Sequence, residues 1–170
     1  DVSGNITIDL LKELSVNNMR YILMHNLGVP ANCNIIMPLN TNIIDDIITW
    51  FNDKISYYLD NNINLNTIIL DPGIGFGKNA IQSWCIIYDF IYEKHLYNFL
   101  LKNNLFIEYM LAYSRKSFLL HYMPAIDGKN PISRDLETAK LTDILINKVD
   151  YVRLHEVTSF NRLLNIQAAL

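Results

Sequence analysis

Residues 67–78 read TIILDPGIGFGK, and this stretch joins a strand pattern to a glycine-rich loop. Its first four residues are β-branched or apolar, as in a buried strand, and Asp71-Pro72-Gly73 supplies the turn that ends it. The glycines of the loop let the backbone turn tightly or approach a flat ligand. Their GxGxG spacing differs from the GxGxxG of dinucleotide sites, and the run lacks the first glycine and the final hydroxyl residue of a P-loop. The stretch therefore predicts a strand that ends in a ligand-facing loop, without a nucleotide motif.

On both sides of this stretch, strand-like segments alternate with helical ones. Residues 19–25, 106–113 and 149–154 are the other predicted strands. The clearest helix spans residues 42–59, with Asn42 as its N-cap and one apolar face that includes Leu59. The remaining predicted helices are residues 5–17, 81–92, 117–122, 134–147 (with Ser133 as cap) and 157–170. The aromatic residues predicted to lie in the core are Trp50, Tyr57, Tyr58, Trp84 and Tyr88. This alternation indicates βαβ units and a parallel sheet.

Composition sets the broad class of protein. The 170 residues are 51% hydrophobic and 18% charged, which suits one ordinary globular domain spanning residues 1–170. A net charge of −3 gives no basic field, so we expect neither nucleic acid nor a membrane as a partner. Cys33 and Cys85 form no CxxC pair, so a reducing cytoplasm is the expected location. His95 and His121 lack acidic or cysteine neighbours at metal spacing, and we expect them to be structural.

Polar clusters follow all four predicted strands, at residues 24–26 (MHN), 71–73 (DPG), 114–116 (SRK) and 153–155 (RLH). The carboxyl ends of parallel strands in α/β folds converge on one rim, where ligands bind. Four such clusters are difficult to explain as surface decoration. The sequence therefore predicts a small-molecule site at this rim.

The last cluster is suited to an anion. Arg153 and His155 are two residues apart, so on a strand both project from the same face. An arginine can grip a phosphate with two hydrogen bonds, and a histidine adds another donor. Barrel enzymes often bind phosphate after their final strands. A buried polar network is the alternative interpretation of this pair.

The other clusters also have structural alternatives. Asp71 belongs to a common turn sequence, although its loop context favours a functional role. His25 is as consistent with a core hydrogen bond as with the wall of a site. Arg115 and Lys116 together resemble a solvated charge pair, in which Lys116 is the better ligand candidate and Arg115 the structural or rim residue.

Taken together and in order, these segments resemble those of dihydropteroate synthases. The segments that carry the resemblance are LMHN (residues 23–26), DPGIGFGKN (71–79), YSRKSFL (113–119), RDLETA (134–139) and VRLHEV (152–157). It covers essentially the whole chain, and the glycine loop combined with SRKSF is specific. It implies an α/β fold, a (β/α)8 barrel of which this chain would supply roughly the last four βα units. Such barrels need about 250 residues, so a chain that begins at Asp1 without a methionine is expected to be part of a longer product.

The resemblance assigns catalytic roles to three residues. Asp71 would accept hydrogen bonds from the amino and ring N–H groups of a pterin, because a carboxylate offers acceptors only. Lys116 would donate to the pterin carbonyl and ring nitrogen, near the carbon where the new bond forms. Arg153 would stack on the pterin and hold phosphate.

Five further residues would bind substrate. His155 would hold phosphate, and Ser114 would contact the carboxylate of p-aminobenzoate. Phe76 would wall the p-aminobenzoate pocket, Met24 would pack against the pterin, and Gly75 would give the ring close access to the backbone. The expected partners are the pterin pyrophosphate, p-aminobenzoate and a second copy of the chain.

The implied reaction displaces pyrophosphate from a pterin methylene carbon by the amine of p-aminobenzoate, with Mg2+ as cofactor. The Mg2+ ligand of the family is expected upstream of this chain. Ala112 stands where the family commonly has glycine, and Glu156 where it has aspartate. Ala112 and the missing first half of the barrel leave open a non-catalytic homologue that serves as a structural or partner domain. A cobalamin-dependent pterin methyltransferase, which shares the barrel and a pterin pocket, is a second alternative, and the SRKSF segment argues against it.

Overall fold

The computed structural model describes residues 1–28, 30, 32, 34–122, 130–158 and 160–161. Its centre is a four-stranded sheet in the order β1-β2-β3-β4, and each pair of neighbouring strands is parallel. The strands are β1 (Tyr21–Met24), β2 (Ile68–Asp71), β3 (Glu108–Leu111) and β4 (Tyr151–Val152). All four were predicted, and the structure shortens each to its hydrogen-bonded centre.

Helices connect the strands. They are α1 (Ile8–Val16), α2 (Ile43–Asp60), α3 (Ala80–Tyr88), α4 (His95–Lys102), α5 (Leu119–Tyr122) and α6 (Asp135–Leu145), with short 3-10 turns at Leu65–Thr67 and Pro131–Arg134. Among the described residues, none of these helices has the length and apolar character needed to cross a membrane. The predicted closing helix at residues 157–170 falls largely outside the described residues.

The clearest predicted helix, α2, forms as expected. The Asn42 side chain accepts a hydrogen bond from the Ile44 N–H at 3.0 Å, which caps the helix. Phe51 is fully buried in the core, whereas Leu59 is 52% exposed, so its predicted place on the core face is wrong. Leu59 lies eight residues after Phe51, and at 3.6 residues per turn this rotates it about 80° away from that face.

The two faces of the sheet carry different residues. Leu70 and Tyr109 are paired in register and belong to the main core beneath the helices. Ile69, Met110 and Ala112 form a smaller separate cluster on the opposite face. This division follows from the two-residue repeat of strands. A parallel sheet with helices on one face and a second, smaller apolar cluster on the other is the arrangement of a barrel wall.

The predicted helix at residues 81–92 is wrong in its second half. The helix α3 ends at Tyr88, a π-helical turn spans Asp89–Glu93, and α4 follows as a separate helix. The buried carboxylate of Asp89 accepts hydrogen bonds from the backbone N–H groups of His95 at 3.0 Å and Leu96 at 3.1 Å. Asp89 thus caps α4. The capped N–H groups lie six and seven residues after Asp89, beyond the three- and four-residue spacing from which a helix is predicted.

The predicted cap of α6 is also wrong. Ser133 lies within the 3-10 turn that runs directly into α6, and the Asn130 side chain caps that turn by accepting from the Ile132 N–H at 3.0 Å. A 3-10 turn is a frequent beginning for a helix, and Pro131 suits its first position because that residue donates no hydrogen bond.

Two of the aromatic residues predicted to lie in the core are instead exposed. Tyr58 is 2% exposed, but Tyr57 is 53% and Tyr88 is 45% exposed. Adjacent residues on a helix point about 100° apart, so Tyr57 and Tyr58 cannot both face the sheet. Trp50 and Trp84 are partly buried and pack against the core, in the manner predicted.

Candidate active site at the carboxyl ends of the strands

The four polar clusters lie on one rim of the sheet. Met24 ends β1 and is paired in register with Asp71, which ends β2. Arg153 follows β4, and its backbone N–H donates to the carbonyl of Leu111, the last residue of β3, at 2.9 Å. Because the strands are parallel and adjacent, the segments that follow them meet at the same edge. This arrangement is the one that the sequence predicts.

Asp71 is the buried anion of the rim, with 2% exposure. One carboxylate oxygen accepts the Gly73 N–H at 2.8 Å. Burial raises the pKa of Asp71, while the Gly73 hydrogen bond and the charges of Arg153, Lys78 and Lys116 act in the opposite direction. A carboxylate that senses three cations but has one protein hydrogen bond in the described contacts is well suited to accept N–H donors from a ligand.

The glycine loop crosses the rim just after Asp71. Its turn is closed by a hydrogen bond from the Phe76 N–H to the Gly73 carbonyl at 3.0 Å. Gly73 has a φ of 68°, and a Cβ at this position would lie 1.9 Å from the His25 carbonyl oxygen. Only glycine fits there, because the loop passes directly over the end of β1. A Cβ at Gly75 would lie 3.3 Å from Cδ of Lys116, so this glycine contacts the lysine side chain.

Lys116 reaches across the loop from the segment after β3. Its Nζ lies 4.1 Å from the centre of the Phe76 ring, which is a cation–π contact. Burial and the nearby Arg153 lower the pKa of Lys116, and Asp71 opposes them. A cavity of about 370 Å³ opens beside this pair, with Gly75, Lys116 and His121 among its lining residues, and this size suits a small molecule.

Arg115, the neighbour of Lys116, is held by the protein. It adopts a left-handed backbone conformation with a φ of 59°. Its guanidinium donates to both carboxylate oxygens of Asp135, at 2.8 Å each, and its carbonyl accepts from Arg134 at 2.6 Å. These contacts of Arg115 with Asp135 and Arg134 join the segment at residues 114–116 to the start of α6. They agree with the structural interpretation of Arg115.

Ser114 links the third and fourth strand ends. Its hydroxyl oxygen accepts the backbone N–H of His155 at 3.1 Å and lies 3.0 Å from Nδ1 of the same histidine. A hydroxyl that accepts from the backbone can donate its own proton to Nδ1, which leaves the His155 proton on Nε2. Nε2–H then serves as a donor toward an anion. Ser114 itself is 3% exposed.

Lys78 and His25 form a buried pair that the sequence did not reveal. Nζ of Lys78 lies 2.8 Å from Nδ1 of His25. Burial lowers the pKa of Lys78 to about 7, with Asp71 opposing and Lys116 reinforcing the effect. Burial, and then the charge of Lys78, lower the pKa of His25 to about 3. The sequence features that could have predicted this pair are the lysine that ends the glycine loop and the histidine at the end of a neighbouring strand.

The expectation that His95 lacks acidic neighbours is wrong. Within the described part of the chain, Asp89, Glu93 and His95 are grouped closely enough to share a metal ion. Nδ1 of His95 lies 2.8 Å from Asp89 and 3.3 Å from Glu93. Asp89 already has a structural task as the cap of α4, and the group lies at the end of α3 farthest from the glycine loop. It is therefore separate from the rim.

Comparison with known proteins gives one family match and several relatives. A family model described as pterin binding enzyme matches residues 1–155. The chain is 26% identical over 173 residues to the type-3 dihydropteroate synthase of Escherichia coli, covering 100% of this chain and 61% of that protein. It is 26% identical over 169 residues to the folate synthesis bifunctional protein of Chlamydia caviae, covering 99% of this chain and 35% of that protein. The chain thus spans between about a third and three fifths of these relatives.

Solved structures match the fold. The dihydropteroate synthase of Anaplasma phagocytophilum with bound 6-hydroxymethylpterin-monophosphate is 25% identical, with a TM-score of 0.75 over 98% of this chain and 61% of that one. The dihydropteroate synthase of Stenotrophomonas maltophilia with imidazole in its active site is 18% identical. Its TM-score is 0.76 over 99% of this chain and 59% of that one. These matches confirm the predicted fold class, a portion of a (β/α)8 barrel.

Proposed function

The chain belongs to the pterin binding enzyme family, and from that premise we propose that it is part of a dihydropteroate synthase, which joins a pterin pyrophosphate to p-aminobenzoate. The observation that carries the proposal is the buried Asp71 carboxylate on a rim with Lys116 and Arg153, whose charges both act on it. A flat ring with N–H donors on one edge and a charged tail matches this distribution of charge. The named relatives support the same activity.

Each end of the substrate has a matching group. Asp71 accepts the amino and ring N–H groups of the pterin, Lys116 donates to its carbonyl and ring nitrogen, and Met24 packs on its face. The missing side chain at Gly75 leaves room for the Lys116 side chain, whose Cδ would lie 3.3 Å from a Cβ there, and the family resemblance assigns this glycine to the approach of the ring to the backbone. Arg153 stacks on the pterin and holds the phosphates.

The remaining groups bind the tail and the second substrate. His155 donates from Nε2 to the pyrophosphate, because its Nδ1 is engaged by Ser114. Phe76 provides an aromatic wall for p-aminobenzoate. Ser114 is assigned to the p-aminobenzoate carboxylate by family resemblance, and its low exposure favours an effect exerted through His155 and the neighbouring backbone.

The chemistry proposed is a displacement. The amine lone pair of p-aminobenzoate forms a bond to the pterin methylene carbon, the carbon–oxygen bond to pyrophosphate breaks with its electrons on oxygen, and the amine loses a proton. Positive charge on the methylene carbon and negative charge on the leaving group are both stabilised electrostatically. The protein contributes orientation and charge, and no side chain forms a covalent intermediate.

We also propose Mg2+ as the cofactor, which would neutralise part of the departing pyrophosphate. The described rim fits this ion poorly, since the carboxylate of Asp71 is buried among the positive charges of Arg153, Lys78 and Lys116. We therefore propose that the protein ligand of Mg2+ lies outside these 170 residues. From the family resemblance we further propose a cytoplasmic homodimer, to be checked by sedimentation equilibrium and cell fractionation.

The proposal is tested by turnover of the whole protein at saturating substrates and Mg2+. We expect Asp71→Ala and Lys116→Ala each to abolish turnover, and Arg153→Ala to weaken pyrophosphate binding more than p-aminobenzoate binding. The matched controls are Asp60→Ala and Lys102→Ala, which alter exposed residues far from the rim. Near-normal kinetics in Lys116→Ala would show that the site is misassigned, and an inactive wild-type protein would reject the enzyme itself.

The alternative of a non-catalytic homologue rests on Ala112. Its methyl group is 5% exposed and packs with Ile69 and Met110 on the face that leads to the rim. A crowded pterin pocket would follow if the ring lay against this methyl group. Under that alternative the wild-type protein is inactive and Ala112→Gly restores pterin binding, an outcome that separates it from the synthase.

A further inference from the structure

Lys78 ends the glycine loop, and the proposed reaction assigns it no role. Its side chain turns inward and is 6% exposed. Nζ has three acceptors within hydrogen-bond distance, which are Nδ1 of His25 at 2.8 Å, the Gly73 carbonyl at 3.1 Å and the Phe76 carbonyl at 3.0 Å. A lysine ammonium group has three donors and no acceptor. These contacts therefore use its full hydrogen-bonding capacity within the protein.

The three acceptors belong to two different strand ends. His25 follows β1, whereas Gly73 and Phe76 lie in the loop that follows β2. The Lys78 side chain thus holds the loop against the neighbouring strand end. Gly73 also passes so close to the His25 carbonyl that it has no room for a side chain.

The same short loop supports two groups of the candidate site. The Gly73 N–H orients the Asp71 carboxylate at 2.8 Å. The Phe76 ring lies 4.1 Å beneath the ammonium of Lys116. A shift of the loop would move both the acceptor for the pterin and the wall on which Lys116 rests. Displacements of about 1 Å are enough to reduce catalysis by roughly a hundredfold.

We propose that Lys78 is a positioning residue that fixes the loop at residues 73–77 to the end of β1, so that Asp71 and the Phe76–Lys116 pair keep their working geometry. The proposal rests on the proposed function for its catalytic consequence. Lys78 acts through the loop, since its hydrogen-bond donors all point to protein acceptors.

The pairing fixes the chemical state of His25. Below the Lys78 pKa of about 7 the lysine is an ammonium group with no acceptor, so Nδ1 of His25 accepts from it, and His25 is neutral with its proton on Nε2. A protonated His25 would turn two donors toward each other. The tautomer of His25, measured by ¹⁵N NMR, therefore indicates whether Lys78 is in its hydrogen-bonded position.

The test compares Lys78→Met with wild type in the whole protein. Methionine keeps the length and apolar stem of lysine and removes the donors. We expect kcat/KM to fall more than tenfold, with a raised KM for the pterin pyrophosphate, faster amide hydrogen exchange at residues 73–77, and loss of the single His25 tautomer in ¹⁵N NMR spectra. Lys102→Met, on the exposed surface of α4, is the matched control and should change none of these. Unchanged kinetics in a folded Lys78→Met protein would overturn the proposal, whatever the exchange rates.

A second pair of variants covers the case in which Lys78→Met does not fold. His25→Gln keeps an acceptor for Lys78, and His25→Leu removes it. Retained turnover in His25→Gln with a large loss in His25→Leu supports the proposal, and equal turnover in the two overturns it. Hydrogen exchange and the His25 tautomer need no substrate, so they test the role of Lys78 even if the wild-type protein shows no synthase activity.

Discussion

His25 should make the folded protein sensitive to mild acid. Its imidazole is 2% exposed, packs edge-on against Trp50 with ring centres 5.1 Å apart, and accepts a hydrogen bond from Lys78. Burial and the charge of Lys78 lower the pKa of His25 from 6.5 to about 3. The native state therefore keeps His25 neutral at a pH where the unfolded chain protonates it.

The sign and size of the effect follow from these two values. A histidine whose folded pKa is lowered contributes stability that is present above pH 6.5 and is lost as the pH falls toward 3. Each pH unit inside that window changes the free energy of unfolding by about 1.4 kcal/mol. Between pH 7 and pH 5 the loss is about 2 kcal/mol. Lys78 adds little in this range, because below its folded pKa of about 7 it is protonated in both states.

Urea unfolding at pH 7 and pH 5 measures the loss directly. We expect wild type to lose about 2 kcal/mol more than His25→Gln across this interval, since the variant has no imidazole to titrate while the carboxylates are common to both. His121→Gln is the control, because His121 lies on the exposed surface. An equal pH dependence in wild type and His25→Gln would refute the buried, neutral state assigned to His25.

Three further results are expected. Asp135→Asn should weaken the ion pair between Arg115 and Asp135 and lower kcat/KM while leaving the protein folded. Enzyme kinetics and circular dichroism measure the two effects, and unaltered kinetics would show that this ion pair does not support the site. Phe51→Ala should lower the free energy of unfolding by about 3–5 kcal/mol, measured in urea, because the ring is fully buried, and a loss below 1 kcal/mol would contradict that packing. Phe76→Leu should remove a cation–π contact worth about 0.5–2 kcal/mol, so that the pKa of Lys116 falls further and the pH–rate profile shifts to lower pH; an unshifted profile would argue against the contact.

Sequence patterns predicted the features of this protein that depend on near neighbours. Short β-branched or apolar runs predict the four strands of the sheet, and Asn42 followed by an apolar helical face predicts α2 with its cap. The position of Asp71 at the end of a β-branched run puts a carboxylate at the rim. Such features depend on backbone preferences within about one turn or one strand, and residues close in sequence decide those preferences.

Patterns in the sequence failed where two periodicities compete. Residues 81–92 are apolar enough for one helix, yet Asp89 ends the first helix and caps a second. Tyr57 and Tyr58 are equally apolar, and only the orientation of α2 over the sheet decides which one is buried. Local propensity is a weak guide at such positions, because packing overrides it.

The amino-acid sequence alone thus determined which segments become strands and which side chains lie at their ends. The tertiary structure decided what those side chains touch. Lys78 meets His25 across 53 residues of sequence, and Arg115 meets Asp135 across 20. These contacts arise only after parallel strands have aligned, because the sheet then brings the loops of different strands within hydrogen-bond distance.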